Sequence, residues 1–150
     1  CSARTHQAQP NSLGALRNSL VNALEKTAHD EQTRRVFEVA THKVEYVAEM
    51  QAVRNRHLLV RNTCMAMTQQ ALEQAGLQAR LTLAVPLHSA ALGLHVLVDG
   101  LIQNWLLDPQ AFDLVACGQQ AIDTYLRGLG FSLDGALAPR LSAPAPAMPA

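Results

Sequence analysis

The chain has 150 residues, 49% hydrophobic and 16% charged, with twelve basic side chains against twelve acidic ones. That length suits one domain around a single core. The even balance excludes the clustered Lys and Arg excess of a nucleic-acid-binding surface, so the chain by itself is not expected to hold DNA.

Cys1, Cys64 and Cys117 are far apart, odd in number and without a CxxC pair, which points to free thiols in a reducing cytoplasm. No signal peptide is visible at the start. The chain opens at Cys1 without an initiator Met, so upstream residues are expected to be lacking from it.

Helical periodicity dominates and strand alternation is scarce, so the fold is expected to be all-α, a bundle of about five to six helices. Residues 1–12 read as a flexible N-terminal remnant. Leu13, Leu16, Leu20 and Leu24 recur at three- and four-residue intervals after Pro10, Asn11 and Ser12, the pattern of a first amphipathic helix. Asp30 is suited to cap a second, in which Val36, Phe37, Ala40, Thr41, Val44 and Val47 form the inward stripe, with a bend near Glu49. A third should run from about Ala52 to Ala75, with Val53, Leu58, Val60, Cys64, Met67, Ala71 and Leu72 apolar and Gly76 ending it. Pro86 fits the first turn of a fourth, which Asp108 and Pro109 stop. A fifth from about Gln110 to Leu129 closes at Gly128 and Gly130. The helical domain is thus placed at 13–130. Residues 131–150 read as a tail, disordered because its Ala/Pro-rich composition cannot bury enough surface to order itself.

The fourth helix lies in an apolar run, Ala84 to Leu107, whose single charge is Asp99. Roughly 20 apolar residues can span a bilayer. A central Asp costs about 2.5–3.5 kcal/mol there, and neither flank has a Lys/Arg cluster or paired aromatics, so a buried helix outside any membrane is expected. An ionised carboxylate in such a helix needs a partner or a ligand.

At about 100° per residue, one arc of this helix gathers His88, Ala91, Leu94, His95, Val98, Asp99 and Ile102. The opposite arc gathers Gly93, Val96, Leu97, Gly100, Gln103, Asn104 and Leu107. Gly93 and Gly100 share a stripe on which absent side chains admit another helix. A helix apolar on both sides sits between two layers, and a symmetric partner is the commonest source of the second.

The run Val98-Asp99-Gly100-Leu101-Ile102-Gln103-Asn104-Trp105-Leu106-Leu107-Asp108-Pro109-Gln110-Ala111-Phe112-Asp113-Leu114 resembles the C-terminal domain of TetR-family repressors of multidrug efflux pumps, the AcrR and TtgR group. The stretch Thr33 to Met50, with His42-Lys43 and the spaced Glu45 and Met50, resembles a second signature of that group, and weaker similarity runs from about Leu13 to Leu129. The resemblance implies the ligand-sensing half of a homodimeric cytoplasmic repressor that dimerises through its last two long helices. Operator DNA would be read only by an N-terminal helix-turn-helix absent from this chain. It implies a hydrophobic effector (drug, dye or phenolic) held by Phe37, Thr41, Cys64, Thr68, Leu94, His95, Val98, Asp99 and Ile102. The implied dimer face is the second arc together with Ile122. Phe37, Thr41 and His95 depart from the side chains found in close relatives, so effector identity does not carry over.

Two other readings are weighed against this one. A structural dimerisation module would fill the cavity with its own side chains and leave Asp99 bonded to neighbouring helices. A small hydrolase would use Asp99 with His95 for acid–base work, but no nucleophile or second carboxylate accompanies them, and no enzyme or cofactor is expected. His88 and His95 lack the further ligands of a metal site. Cys64 reads as a small core residue, Trp105 and Phe112 as packing, and Arg34-Arg35 as a solvated pair.

Overall fold

The computed structural model describes residues 11–42 and 51–133, without the side chains of 40–42. The expected roles of Val44, Val47 and Glu49, the stretch before Asn11 and the Ala/Pro-rich stretch from Asp134 lie outside the described residues, as does the Thr41 side chain. Among the described residues there are five helices: α1 (Ser12–His29), α2 (Glu31–His42), α3 (Gln51–Ala79), α4 (Leu87–Leu107) and α5 (Leu114–Gly128). The fold is all-α.

Side chains set most boundaries. Asn11 caps α1, its Oδ1 accepting from the Gly14 amide at 3.1 Å. Asp30 caps α2 by accepting from the Thr33 hydroxyl and from the Gln32 and Thr33 amides at 3.2 and 3.3 Å. The Thr33 hydroxyl bond, with those amides, holds the Asp30 carboxyl below the usual carboxylate range. Pro86 stands just outside α4 as its N-cap rather than in the first turn. α5 begins at Leu114, later than the expected Gln110, because Asp113 caps it, accepting from the Ala116 amide at 2.9 Å.

Gly76 does not end α3. The helix runs on to Ala79 and stops at Arg80, whose φ of 51° is left-handed. The Leu81 amide donates back to the Gly76 carbonyl at 2.9 Å and the Arg80 amide to that of Leu77 at 3.2 Å, the paired bonds of a Schellman cap. Gly130 plays the same part after α5: its φ is 106°, with Gly130 to Arg127 and Phe131 to Leu126 bonds of 2.9 and 3.1 Å. A left-handed non-glycine residue costs about 1–2 kcal/mol. Arg80→Gly is therefore expected to stabilise the chain by about 0.5–1 kcal/mol after the glycine entropy cost, seen as a higher thermal midpoint; a lower midpoint would contradict it.

α1 and α4 form the middle of the bundle, each touching all four other helices. Leu24, Leu72, Leu94, Leu114, Ile122 and Leu126 are fully buried between them. The core extends past the expected domain end, for Phe131 and Leu133 are only 4% and 1% exposed. After the Gly130 turn the chain folds back onto apolar surface, so the tail does not start at 131. Arg17 of α1 grips Asp123 of α5 with two bonds, Nε to Oδ1 at 2.5 Å and Nη2 to Oδ2 at 2.9 Å. Bonding to Asp123 raises the Arg17 pKa above its ordinary value.

On α2 and α3 the inward stripes differ from expectation. Val36 is exposed while Phe37 packs on the core. On α3 the buried positions are Met65, Thr68, Leu72, Ala75 and Gly76; Val60, Cys64 and Met67 are exposed. That helix has apolar residues nearly all round, so periodicity alone does not single out its inner face.

Candidate functional site

α4 (Leu87–Leu107) is the one helix among the described residues long and apolar enough to cross a bilayer. In this fold it presents Ala90, Ala91, Leu94, Val98, Ile102 and Trp105 to the core. Leu94, Val98 and Ile102 are 0%, 8% and 3% exposed and share one cluster, against which Phe37 of α2 packs. Thr68 of α3 is buried as well. Five of the nine expected effector residues thus belong to this interior or border it.

His95 and Asp99 are half-buried at the margin of that stripe, one turn apart. Gln103, a further turn along, donates its side-chain amide to Asp99 Oδ2. The lone acid of the apolar run therefore has a partner on its own helix. Cys64 does not join the set. It is exposed on α3. His88 is exposed too.

The opposite arc of α4 divides. Val96 and Leu107 are 58% and 71% exposed, and Leu97, Gly100 and Gln103 are half-buried. Asn104 is exposed and donates to the Gly100 carbonyl at 2.7 Å. Val96, Leu97, Gly100 and Asn104, with Leu101, Phe112 and Cys117, line an open groove between α4 and the start of α5. A Cβ on Gly100 would meet nothing, so that glycine leaves space toward the outside.

Gly93 and Ile122 are corrected. A Cβ on Gly93 would collide with the Tyr125 hydroxyl of the same chain, so the close approach it allows is internal, to α5. Tyr125 lies across this gap and donates to the Ala90 carbonyl at 3.0 Å, and its burial raises the hydroxyl pKa. Ile122 is fully buried in its own core and unavailable to a partner. Interior packing on α5 and an interface stripe have the same spacing in sequence.

A second concavity lies between the end of α3 and the α3–α4 loop, with Leu72, Leu77, Leu83 and Pro86 among its lining. Neither concavity contains any expected effector residue. Among the described residues no group of three His, Cys, Asp or Glu converges on a metal position.

Two features escaped the sequence reading. One is the Arg17–Asp123 pair, whose partners are 106 residues apart. The other is Arg34, read there as part of a solvated pair. Arg35 is indeed exposed, bonded to Glu31 at 2.6 Å. Arg34 instead lies over the Trp105 ring at 5.2 Å from its centroid and donates Nη2 to the Ala28 carbonyl at 3.1 Å. Its spacing from Phe37 and that of Trp105 from Ile102, three residues each, was the available signal.

Comparison with known proteins places this geometry. Residues 11–131 match the model for the C-terminal region of MAATS-type transcriptional repressors. The repressor BepR of Brucella suis biovar 1 is 33% identical over 120 residues, covering 80% of this chain and 57% of that protein. The regulator TtgR of Pseudomonas putida is 31% identical over 120 residues, with the same shares. AcrR of Shigella flexneri is 33% identical over 105 residues, 68% of this chain and 47% of AcrR. The chain therefore spans about half the length of these curated relatives. Among solved structures, NalD of Pseudomonas aeruginosa, the secondary repressor of the MexAB-OprM multidrug efflux pump, superposes with a TM-score of 0.71 at 23% identity, over 78% of this chain and 60% of NalD. That likeness shows the shared helical fold. The chain belongs to the TetR family of transcriptional repressors, as a C-terminal region of the MAATS type.

Proposed function

We propose that this chain is the effector-sensing and dimerisation region of a cytoplasmic repressor that controls a multidrug efflux operon. The observation that carries the reading is the family match over residues 11–131, which takes in all five helices. The fold neighbour NalD is itself an efflux-pump repressor. Effector would enter among α2, α3 and α4, with the apolar stripe of Leu94, Val98 and Ile102 against its body and His95 and Asp99 as polar anchors. A mostly apolar lining with a few polar groups suits drug-sized molecules. Binding would favour an arrangement of the dimer that misplaces the N-terminal DNA-reading domains on the operator, a population shift that releases repression.

The exposed side of α4 supports the dimer. Val96 and Leu107 are exposed, and Val96 and Gly100 are among the residues that line the groove. Large apolar side chains left exposed beside such a groove suit a protein contact.

Calorimetry with a panel of hydrophobic drugs and phenolics tests the sensing role. Micromolar binding by the wild type, weakened about tenfold in Asp99→Ala or His95→Ala, is expected if each supplies a hydrogen bond to the effector. No binding, or unchanged affinity in both variants, overturns the assigned site. Sedimentation at micromolar concentration should show a dimer that Val96→Asp dissociates, whereas a wild-type monomer refutes the interface. A second reading, a dimerisation module without ligand, draws on the near-complete burial of Leu94, Val98 and Ile102; a dimer that binds nothing would select it.

A further inference from the structure

Arg34 Nε is a buried side-chain donor without a hydrogen-bond partner among the described residues. Buried polar groups normally have partners, so an orphaned one raises the question of which acceptor would complete the site. The rest of the guanidinium is held from two sides. Nη2 donates to the carbonyl of Ala28 near the end of α1, and the face of Trp105 attracts the charge. A ring face offers Nε no lone pair of the carbonyl or carboxylate kind. The head is thus anchored by one nitrogen while another, itself buried, has no acceptor among the described residues.

Its place in the fold indicates what would accept. Arg34 precedes Phe37 by three residues on α2, and Trp105 follows Ile102 by three on α4. Residues so spaced lie on one side of a helix, so the Arg34–Trp105 pair stands one turn beyond Phe37 and Ile102, both candidate effector contacts. Asp99 lies six residues before Trp105, about 9 Å along the axis at 1.5 Å per residue, and is engaged by Gln103.

We infer that Arg34 is an effector anchor, donating from Nε to a hydrogen-bond acceptor, above all a carboxylate, at one end of an otherwise apolar aromatic molecule. The inference rests on the proposal that effector binds among α2, α3 and α4, and it names a class within that proposal: amphiphilic aromatic acids. Ile102 and Val98 meet the apolar body, Trp105 the ring next to the acid, and Arg34 the charge. Bonds between a guanidinium and a carboxylate are among the stronger ones available to such a site.

The test compares two molecules of nearly one shape, 4-tert-butylbenzoate and tert-butylbenzene, titrated into the full 150-residue chain by calorimetry. The emission of the chain's single tryptophan reports the same site. The wild type should bind the benzoate about tenfold or more tighter than the hydrocarbon, with a change in Trp105 emission. Arg34→Met keeps the apolar stem and removes the donors. It should abolish the preference while changing hydrocarbon affinity less than about threefold, and Arg34→Lys should restore part of the preference through its charge alone. Equal wild-type affinities, or a preference that survives Arg34→Met, overturn the inference while leaving the effector site standing. If neither molecule binds, the anchor inference is overturned, while binding from the drug and phenolic panel would still uphold the sensing role. Should Arg34→Met not fold, the wild-type comparison and Arg34→Lys decide.

Discussion

Leu94→Ala is expected to destabilise the chain by about 3–4 kcal/mol, a large part of the stability of a domain this size. Leu94 has no exposed surface and sits in the stripe that α4 turns toward the other helices. Removing its branched end takes away buried apolar area and leaves a void that close-packed neighbours fill only partly. Urea unfolding should show the loss as a lower midpoint at unchanged slope. The same measurement bears on function. If Leu94 lined an open effector cavity, truncation would delete little packing, and a loss below about 1 kcal/mol would show that the side chain faces space. A large loss would favour the proposal that an effector enters at the margin, near Phe37, His95 and Asp99, by parting α2 from α4.

Asp123→Ala should cost about 2–4 kcal/mol. Arg17 and Asp123 have side chains only 13% and 10% exposed and meet through two parallel bonds. Deleting one partner leaves the other charge short of water and without its counterion, which costs more than the intact pair contributes over apolar substitutes. The double replacement Arg17→Met with Asp123→Leu is accordingly expected to recover most of the loss, and the four-member cycle gives a coupling of more than 1 kcal/mol. Additive losses would mean that the fork is only solvated contact. Because pairing raises the Arg17 pKa, this contribution is fully present below the ordinary arginine value and fades only as pH rises past the folded one, so Arg17 titration does not remove it near neutrality.

Capping chemistry was legible before the fold was seen. Asn11, Asp30, Gly130 and the Asp108-Pro109 stop act through neighbours a few residues away, which a linear sequence displays directly. The α5 start was misplaced because Asp113, two residues after Ala111, competes as a cap with a helix-compatible run from Gln110. At Gly76 the residue type suggested a stop, but the left-handed turn fell on Arg80, where Leu81 could reach back to the Gly76 carbonyl. Within the candidate site, the wheel of α4 gave the buried stripe of Ala91, Leu94, Val98 and Ile102 correctly. Cys64 is exposed and not a core residue, a fact that its spacing on α3 could not show.

By itself the sequence determined an all-helical chain, where most of its helices begin and end, the two-sided character of α4, and through two motif runs the repressor family. These follow from interactions within a turn or two, or from patterns carried in residue order. Only the tertiary structure decided that Gly93 makes room for Tyr125 of the same chain, that Ile122 is core and not interface, that Arg17 meets Asp123, and that Arg34 is drawn in over Trp105. Each depends on which face of one helix meets which face of another. Helical spacing is the same whether a stripe packs inward, binds a ligand or awaits a second subunit, so burial has to be read from the packed bundle.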